Sequence, residues 1–200
     1  MDTRPKFPLS FVFKIHTPSN DFSVYGAHGR ETAYTRQKMF RLAEQIEVFR
    51  NSMRDSLLYR ISAGRIIDFN ACYRIMSVEG EGGIEIGSVR RKGIRSLWRI
   101  SYRIYGGDGT LLYSVSERNP WTAVLDSLFS VIPFAGWLSG YVFNPAYIVR
   151  DTEGNECYLL QKEKSLLERR FTLKKTARGE HDELVTAALM VLMLLDRTNA

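Results

Sequence analysis

The chain has 200 residues, of which 44% are hydrophobic and 25% are charged. This composition is typical of an ordinary globular domain with a large core, and it excludes classes of protein with extreme compositions. The 28 basic and 22 acidic residues give a formal net charge of +6, which is a mild bias toward anionic partners.

The N-terminal sequence MDTRPKFPLSFVF has an acid at position 2 and a proline inside its short apolar run. It is therefore not expected to be a signal peptide, and a cytoplasmic location is expected. The two cysteines, Cys72 and Cys157, lie far apart and form no CxxC motif. This usage fits a reducing compartment with unpaired thiols.

The first 50 residues predict short strands. SFVFKIH (10–16) and FSVYGA (22–27) are rich in aromatic and β-branched residues and are separated by a Pro-Ser-Asn turn. The segment 36–49 is ambiguous, since its apolar spacing allows a helix while IEVF within it is typical of a strand. Strands are favoured there.

Apolar and polar residues alternate between 66 and 113. In IIDFNACYRI (66–75) and SLWRISYRIY (96–105), every second residue is apolar, as in a strand with one buried face. VEGEGG (78–83) predicts a turn. YGGDGTLLY (105–113) predicts a tight hairpin in which three glycines adopt positive φ angles.

A basic stretch overlaps these strands. The segment 88–105 contains no acid, and Gly93 is expected to end a turn within it. Three interpretations stay open. The stretch is a solvated face with a charged edge that discourages aggregation, a binding site for anionic lipid, or a nucleic-acid site. There is no strong case for the nucleic-acid site, because the aromatic residues between the arginines face the opposite side of the strand. Its basic residues are Arg90, Arg91, Lys92 at the expected turn, Arg95, and Arg99 and Arg103 on the outward face of the following strand.

The segment 119–143 departs from the hairpin pattern. Asn119 and Pro120 are typical of a helix start, and the apolar residues that follow have helical spacing. A helical insertion that caps one barrel mouth is expected. The alternatives are an interfacial membrane contact through Trp121 and Trp137 and a membrane span.

Strands resume after this insertion. AYIVRDTEGNECYLLQK (146–162) predicts a strand, an Asp-x-x-Gly turn and a second strand, and RRFTLKK (169–175) predicts the last strand. The helix predicted at about 182–196 has only one non-apolar residue, Thr186, between Leu184 and Leu195. It must lie in a core or in lipid because it has no polar face.

The length of the apolar run separates these two possibilities. Twelve helical residues cover about 18 Å, whereas the hydrocarbon core of a bilayer is roughly 30 Å thick. Charged residues bound the run at both ends, with the acids at the N-terminal end that the helix dipole favours. A buried core helix is favoured over a tail anchor or a dimerisation helix.

Many short strands followed by a wholly apolar helix predict an α+β, mainly β fold. A closed antiparallel barrel of about 12 strands has an interior that side chains must fill, and an axial helix would fill it. One domain spanning 1–200 is expected, with the insertion at about 119–143.

The pattern resembles the tubby-like superfamily, particularly its LURP-one-related and phospholipid-scramblase-like branches. The resemblance rests on the amphipathic hairpins at 59–113, the strand ERRFTLKK (168–175) and the terminal helix. It implies a closed barrel around a hydrophobic C-terminal helix, and it favours phospholipid over nucleic acid as the anionic partner. No phosphoinositide-binding residue of tubby proteins is carried over.

No catalytic motif is found. The three histidines are scattered, and the sequence has no GxSxG, P-loop or GxGxxG motif in the required context. We therefore expect no catalytic residue, metal or cofactor. The expected function is that of a non-catalytic barrel protein that binds anionic phospholipid at the inner membrane surface. The alternatives are a structural or protein-interaction module whose partner the sequence does not identify, and a phospholipid scramblase-like protein.

Overall fold

The computed structural model describes residues 5–13, 21–35, 45–63, 72–78, 82–92, 101–118, 146–163, 169–177 and 179–198. These residues form twelve β-strands and one α-helix. The elements are β1 (Leu9–Phe13), β2 (Phe22–Tyr25), β3 (Glu31–Thr35), β4 (Gln45–Phe49), β5 (Leu57–Ala63), β6 (Cys72–Ser77), β7 (Ile84–Lys92), β8 (Ser101–Gly106), β9 (Leu111–Glu117), β10 (Ala146–Arg150), β11 (Glu156–Lys162), β12 (Arg169–Lys175) and α1 (Asp182–Thr198).

The strands form one closed antiparallel barrel. Each strand pairs with its neighbours in the sequence, and β1 pairs with β12 to close the ring, with Phe11 opposite Phe171. Closure leaves none of the twelve described strands at a sheet edge. The predicted fold class, a barrel of about 12 strands with a hydrophobic C-terminal helix, is confirmed.

Alternation along the strands separates the core from the outer surface. In β6, Tyr73 and Ile75 are buried while Arg74 between them is exposed, and β8 repeats this order with Tyr102 and Ile104 around Arg103. The faces predicted for these residues are confirmed.

Helix α1 fills the barrel interior. Every residue from Leu184 to Leu195 is buried, and Leu189 is 0% exposed. The hydroxyl of Thr186, the one polar group in this run, donates a hydrogen bond to the carbonyl of Asp182 at 2.7 Å, which satisfies it within the helix. The terminal helix is therefore a core helix, as predicted.

The helix begins at the end of the barrel that carries the short turns 26–30, 50–56, 106–110 and 151–155, which we call the turn end. There the carboxylate of Asp182 accepts hydrogen bonds from Lys175 Nζ at 2.7 Å and from the Tyr158 hydroxyl at 2.6 Å. Burial, and then the Asp182 carboxylate, raise the pKa of Tyr158. These contacts fix the start of α1 to β11 and β12.

The hairpin at 105–113 forms as predicted, but the role expected of its glycines was partly wrong. Gly109 has a positive φ of 82°, whereas Gly107 is required for space, because a Cβ there would lie 2.4 Å from the carbonyl oxygen of Glu85. The glycine sequence thus reflects close contact with the start of β7 as well as turn geometry.

The predictions for the first 50 residues and the insertion have different outcomes. Strand β4 confirms the strand interpretation for 45–49, and β1 and β2 match the two predicted N-terminal strands. Strand β3 was not predicted, since ETAYT contains little alternation. The helical insertion expected at 119–143 lies outside the described residues.

Candidate functional site

The predicted site residues fall into two groups. Arg90, Arg91 and Lys92 lie in β7 and Arg103 lies in β8. The predictions for Arg95, Arg99, Trp121 and Trp137 fall outside the described residues.

The turn predicted at residues 90–92 was wrong. These residues continue β7, which pairs with β6 on one side and with β8 on the other. The ladder reaches Lys92, which lies opposite Ser101. Pairing with β6 as far as Arg90, and with β8 as far as Lys92, extends β7 past the point at which its charged sequence suggested a loop.

Arg90 and Arg103 meet on the outer surface of the barrel. They are register partners on β7 and β8, and both side chains are exposed. Directly opposite residues in an antiparallel pair have Cβ atoms about 5 Å apart, so two positive charges stand side by side. The structure thus brings together two of the predicted residues that are far apart in sequence.

Arg91 lies on the other face of β7. It is two residues from Val89, which is 1% exposed, and it lies opposite the buried Tyr102. Burial raises the pKa of Tyr73, and the positive charge of Arg91 acts in the opposite direction. Arg91 is half-buried near the barrel interior, so the structure separates it from Arg90 and Arg103, with which the sequence grouped it.

Sequence reasoning missed two residues of this surface. Arg74 is exposed on β6, and Ser88 on β7 is its register partner. Alternation placed Arg74 on the polar face of its strand, but only the pairing of β6 with β7 brings it beside Arg90. We call Arg74, Ser88, Arg90 and Arg103 the outer basic face.

The charge of this face is not neutralised by the described residues around it. Arg74, Arg90 and Arg103 form no ion pair there. The acid that follows on the outer side of β7 is Glu85, whose register partner is Met76, toward the turn end. By contrast, Arg150 on β10 is paired with Glu156 at 2.8 Å. The outer side of β6, β7 and β8 thus carries three arginines without an ion pair among the described residues.

The described ranges hold neither a cluster of metal-binding side chains nor a helix that could span a membrane. Within them, His, Cys, Asp and Glu side chains form no group of three that could hold a metal ion. No helix that the structure describes is long and apolar enough to cross a bilayer. Both cysteines, Cys72 and Cys157, are free thiols.

Comparisons of the chain with protein-family models, with curated proteins and with solved structures found no match.

Proposed function

We propose that this protein is a non-catalytic barrel of the tubby-like kind that binds anionic phospholipid at the inner membrane surface through its outer basic face. The observation that carries this proposal is the cross-strand pair of Arg90 and Arg103, with Arg74 on the adjacent strand and no carboxylate paired to any of them in the described part of the chain.

The clustering has an energetic cost in the free protein. Like charges directly opposite each other in a sheet are destabilising, and an anionic surface would relieve that repulsion. Each arginine close to an anionic membrane contributes about 1 kcal/mol of attraction. Three such residues on one wall would support reversible surface association.

A ligand bound on the surface also fits the packing of the interior. One space that the described residues border, between β1, β3, β5 and α1, has a volume of about 50 Å³ and is lined by Leu9, Leu58 and Met190 among others. A cavity of this size holds a few water molecules, and a lipid chain would not fit. This space therefore offers no lipid site, in keeping with a ligand on the outside of the barrel.

Vesicle flotation tests the proposal. Purified protein is mixed with vesicles of phosphatidylcholine alone or of phosphatidylcholine with phosphatidylserine, at low and at physiological salt. We expect flotation with the anionic vesicles, weakened by salt, because surface attraction decays over about 8 Å at physiological ionic strength. Neutral vesicles are expected to leave the protein in the dense fraction.

The alternative function predicts a different pattern. A structural or protein-interaction module with a merely solvated basic face would float with neither kind of vesicle at low salt, and this result would overturn the proposal. Equal flotation with both kinds would show that apolar insertion, and not the arginines, carries the binding.

A further inference from the structure

The two large apolar side chains that the described residues expose both lie at the turn end. Met53 is 81% exposed in the β4–β5 turn, and Ile84 is 67% exposed at the first position of β7. Because β5 and β6 are neighbours in the barrel, the β4–β5 and β6–β7 hairpins are adjacent on the rim of this end. A single exposed apolar residue is ordinary, but two on adjacent hairpins place apolar surface in one sector of the rim.

Charge is divided between two halves of the same rim. Around the barrel, the N-terminal segment 5–8 and the turns 26–30 and 50–56 follow one another, and together they contain four basic residues and one acid. The turns 106–110 and 151–155, beyond the β6–β7 connection, contain three acids and no lysine or arginine. The turn end therefore has a basic half and an acidic half, and the apolar sector lies at their boundary.

The charge of each half is accessible. The Ala27 amide donates a hydrogen bond to the Lys6 carbonyl at 3.1 Å, which holds the N-terminal segment beside the β2–β3 turn. The segment between β12 and α1 carries both signs and belongs to neither half. Five charged residues of the two halves are exposed and form no ion pair with a described residue: Lys6, Arg30 and Arg54 on the basic half, and Asp108 and Glu153 on the acidic half.

A second copy of the chain is complementary to this surface. In a twofold dimer the same surface of both copies is used, so a residue on one side of the axis faces the partner's residues from the other side. An axis that crosses the rim between the β4–β5 and β6–β7 hairpins brings the basic half of each copy onto the acidic half of the other. We infer that two copies bind end to end at the turn end, where Met53 packs against the partner's Ile84 and Arg30 faces the partner's Asp108.

The size of the interface sets its strength. A rim of twelve strands spaced about 4.8 Å apart has a radius of roughly 10 Å, so the contact is smaller than the about 800 Å² per partner of a standard interface. Interfaces of this size are weak, and we expect a dimer that forms at about 100 µM or above. At low micromolar concentration the chain is a monomer. Salt should weaken the dimer, because the charged pairs at its edge are screened.

Analytical ultracentrifugation over a range of concentrations tests the dimer. The weight-average mass of the wild type should rise from that of one chain toward that of two between about 10 µM and about 500 µM. Arg30→Glu and Asp108→Arg should each weaken dimerisation about tenfold or more, because each places like charges in both symmetric contacts. An equimolar mixture of the two variants should dimerise again, since the exchanged charges then oppose each other across both contacts.

Arg118→Glu is the control, because Arg118 is exposed just after β9, at the opposite end of the barrel. It makes the same charge change as Arg30→Glu and should leave dimerisation unchanged. Melting temperatures show whether each variant folds. If Asp108→Arg does not fold, the pair Lys6→Glu and Glu153→Arg takes the place of the first pair, since both positions are exposed on opposite halves.

A wild-type chain that stays monomeric at about 500 µM in low salt overturns the inference. A dimer that neither charge reversal weakens also overturns it, because that dimer uses another surface. If both folded variants are monomeric and their mixture does not dimerise, the twofold pairing is wrong. The measurement contains no lipid, so its result is independent of the membrane proposal.

Discussion

Gly87 lies where α1 packs against β7. A Cβ at this position would be 2.2 Å from the carbonyl oxygen of Tyr105 and 2.7 Å from Leu184 Cδ1. One of these neighbours is backbone of the adjacent strand, so the contact could not be relieved by a side-chain rotation. Gly87 therefore allows β7, β8 and α1 to pack closely against one another.

Gly87→Ala is expected to reduce the free energy of unfolding by at least about 2 kcal/mol, since overpacking of a filled core forces the backbone to shift. Urea denaturation measures this change. Gly26→Ala is the control, because the nearest atom to its Cβ would be Thr32 Cγ2 at 3.4 Å. Equal stability of the two variants would show that β8 and α1 do not pack closely against Gly87.

Tyr158 provides a pH-dependent prediction at the same scale. It is 0% exposed, and burial followed by Asp182 raises its pKa above the ordinary value of 10.0. Above pH 10.0 the unfolded chain loses this proton while the folded chain keeps it. The stability that Tyr158 provides is therefore fully present below that pH and is lost as the pH rises, by about 1.4 kcal/mol per pH unit for one group.

Tyr158→Phe removes this titration. We expect the unfolding free energy of the variant to fall less steeply above pH 10.0 than that of the wild type. The difference in slope should be that of one titrating group, about 1.4 kcal/mol per pH unit. Tyr73 and Tyr113, whose pKa values burial also raises, remain in both proteins. An identical slope would mean that Tyr158 is accessible to solvent in the folded protein.

Helix α1 is the element on which the core depends. Leu189 lies in its middle and is 0% exposed. Leu189→Asp would bury a charge without a partner, which should cost about 5 kcal/mol or more and is comparable with the whole stability of many domains. We expect insoluble or unfolded protein.

Met53→Asp is the matched control, because Met53 is 81% exposed in the β4–β5 turn. It should change stability by less than about 0.5 kcal/mol. Soluble Leu189→Asp protein with an unchanged melting temperature would contradict the placement of α1 inside the barrel.

The elements differ in how well the sequence predicts them, for physical reasons. Helix α1 and the β8–β9 hairpin were predictable because their signals are local: an uninterrupted apolar run and a glycine-rich turn. Strand β3 and the far end of β7 were not, since pairing with neighbours overrides a polar or charged local sequence. The burial of Ser88 could not be predicted, because the side chains that cover it come from β6 and β8.

At the scale of the whole molecule, the net charge of +6 matters less than its distribution. Arg74, Arg90 and Arg103 share one outer wall, whereas the turns at the turn end carry charges of both signs, among them Arg30, Arg54, Asp55 and Asp108. This uneven distribution of charge would orient the barrel so that β6, β7 and β8 face an anionic surface. The membrane proposal therefore predicts that position, and not charge alone, determines binding.

Flotation of two double charge reversals with vesicles that contain phosphatidylserine tests this claim most directly. Arg90→Glu with Arg103→Glu reverses the outer basic face, whereas Arg30→Glu with Arg54→Glu makes the same change in net charge at exposed positions in the turns. We expect the first protein to remain unbound at low salt and the second to float like the wild type, with melting temperatures unchanged in both. Equal loss of flotation in the two proteins, or flotation of both, would contradict a binding site on the wall formed by β6, β7 and β8.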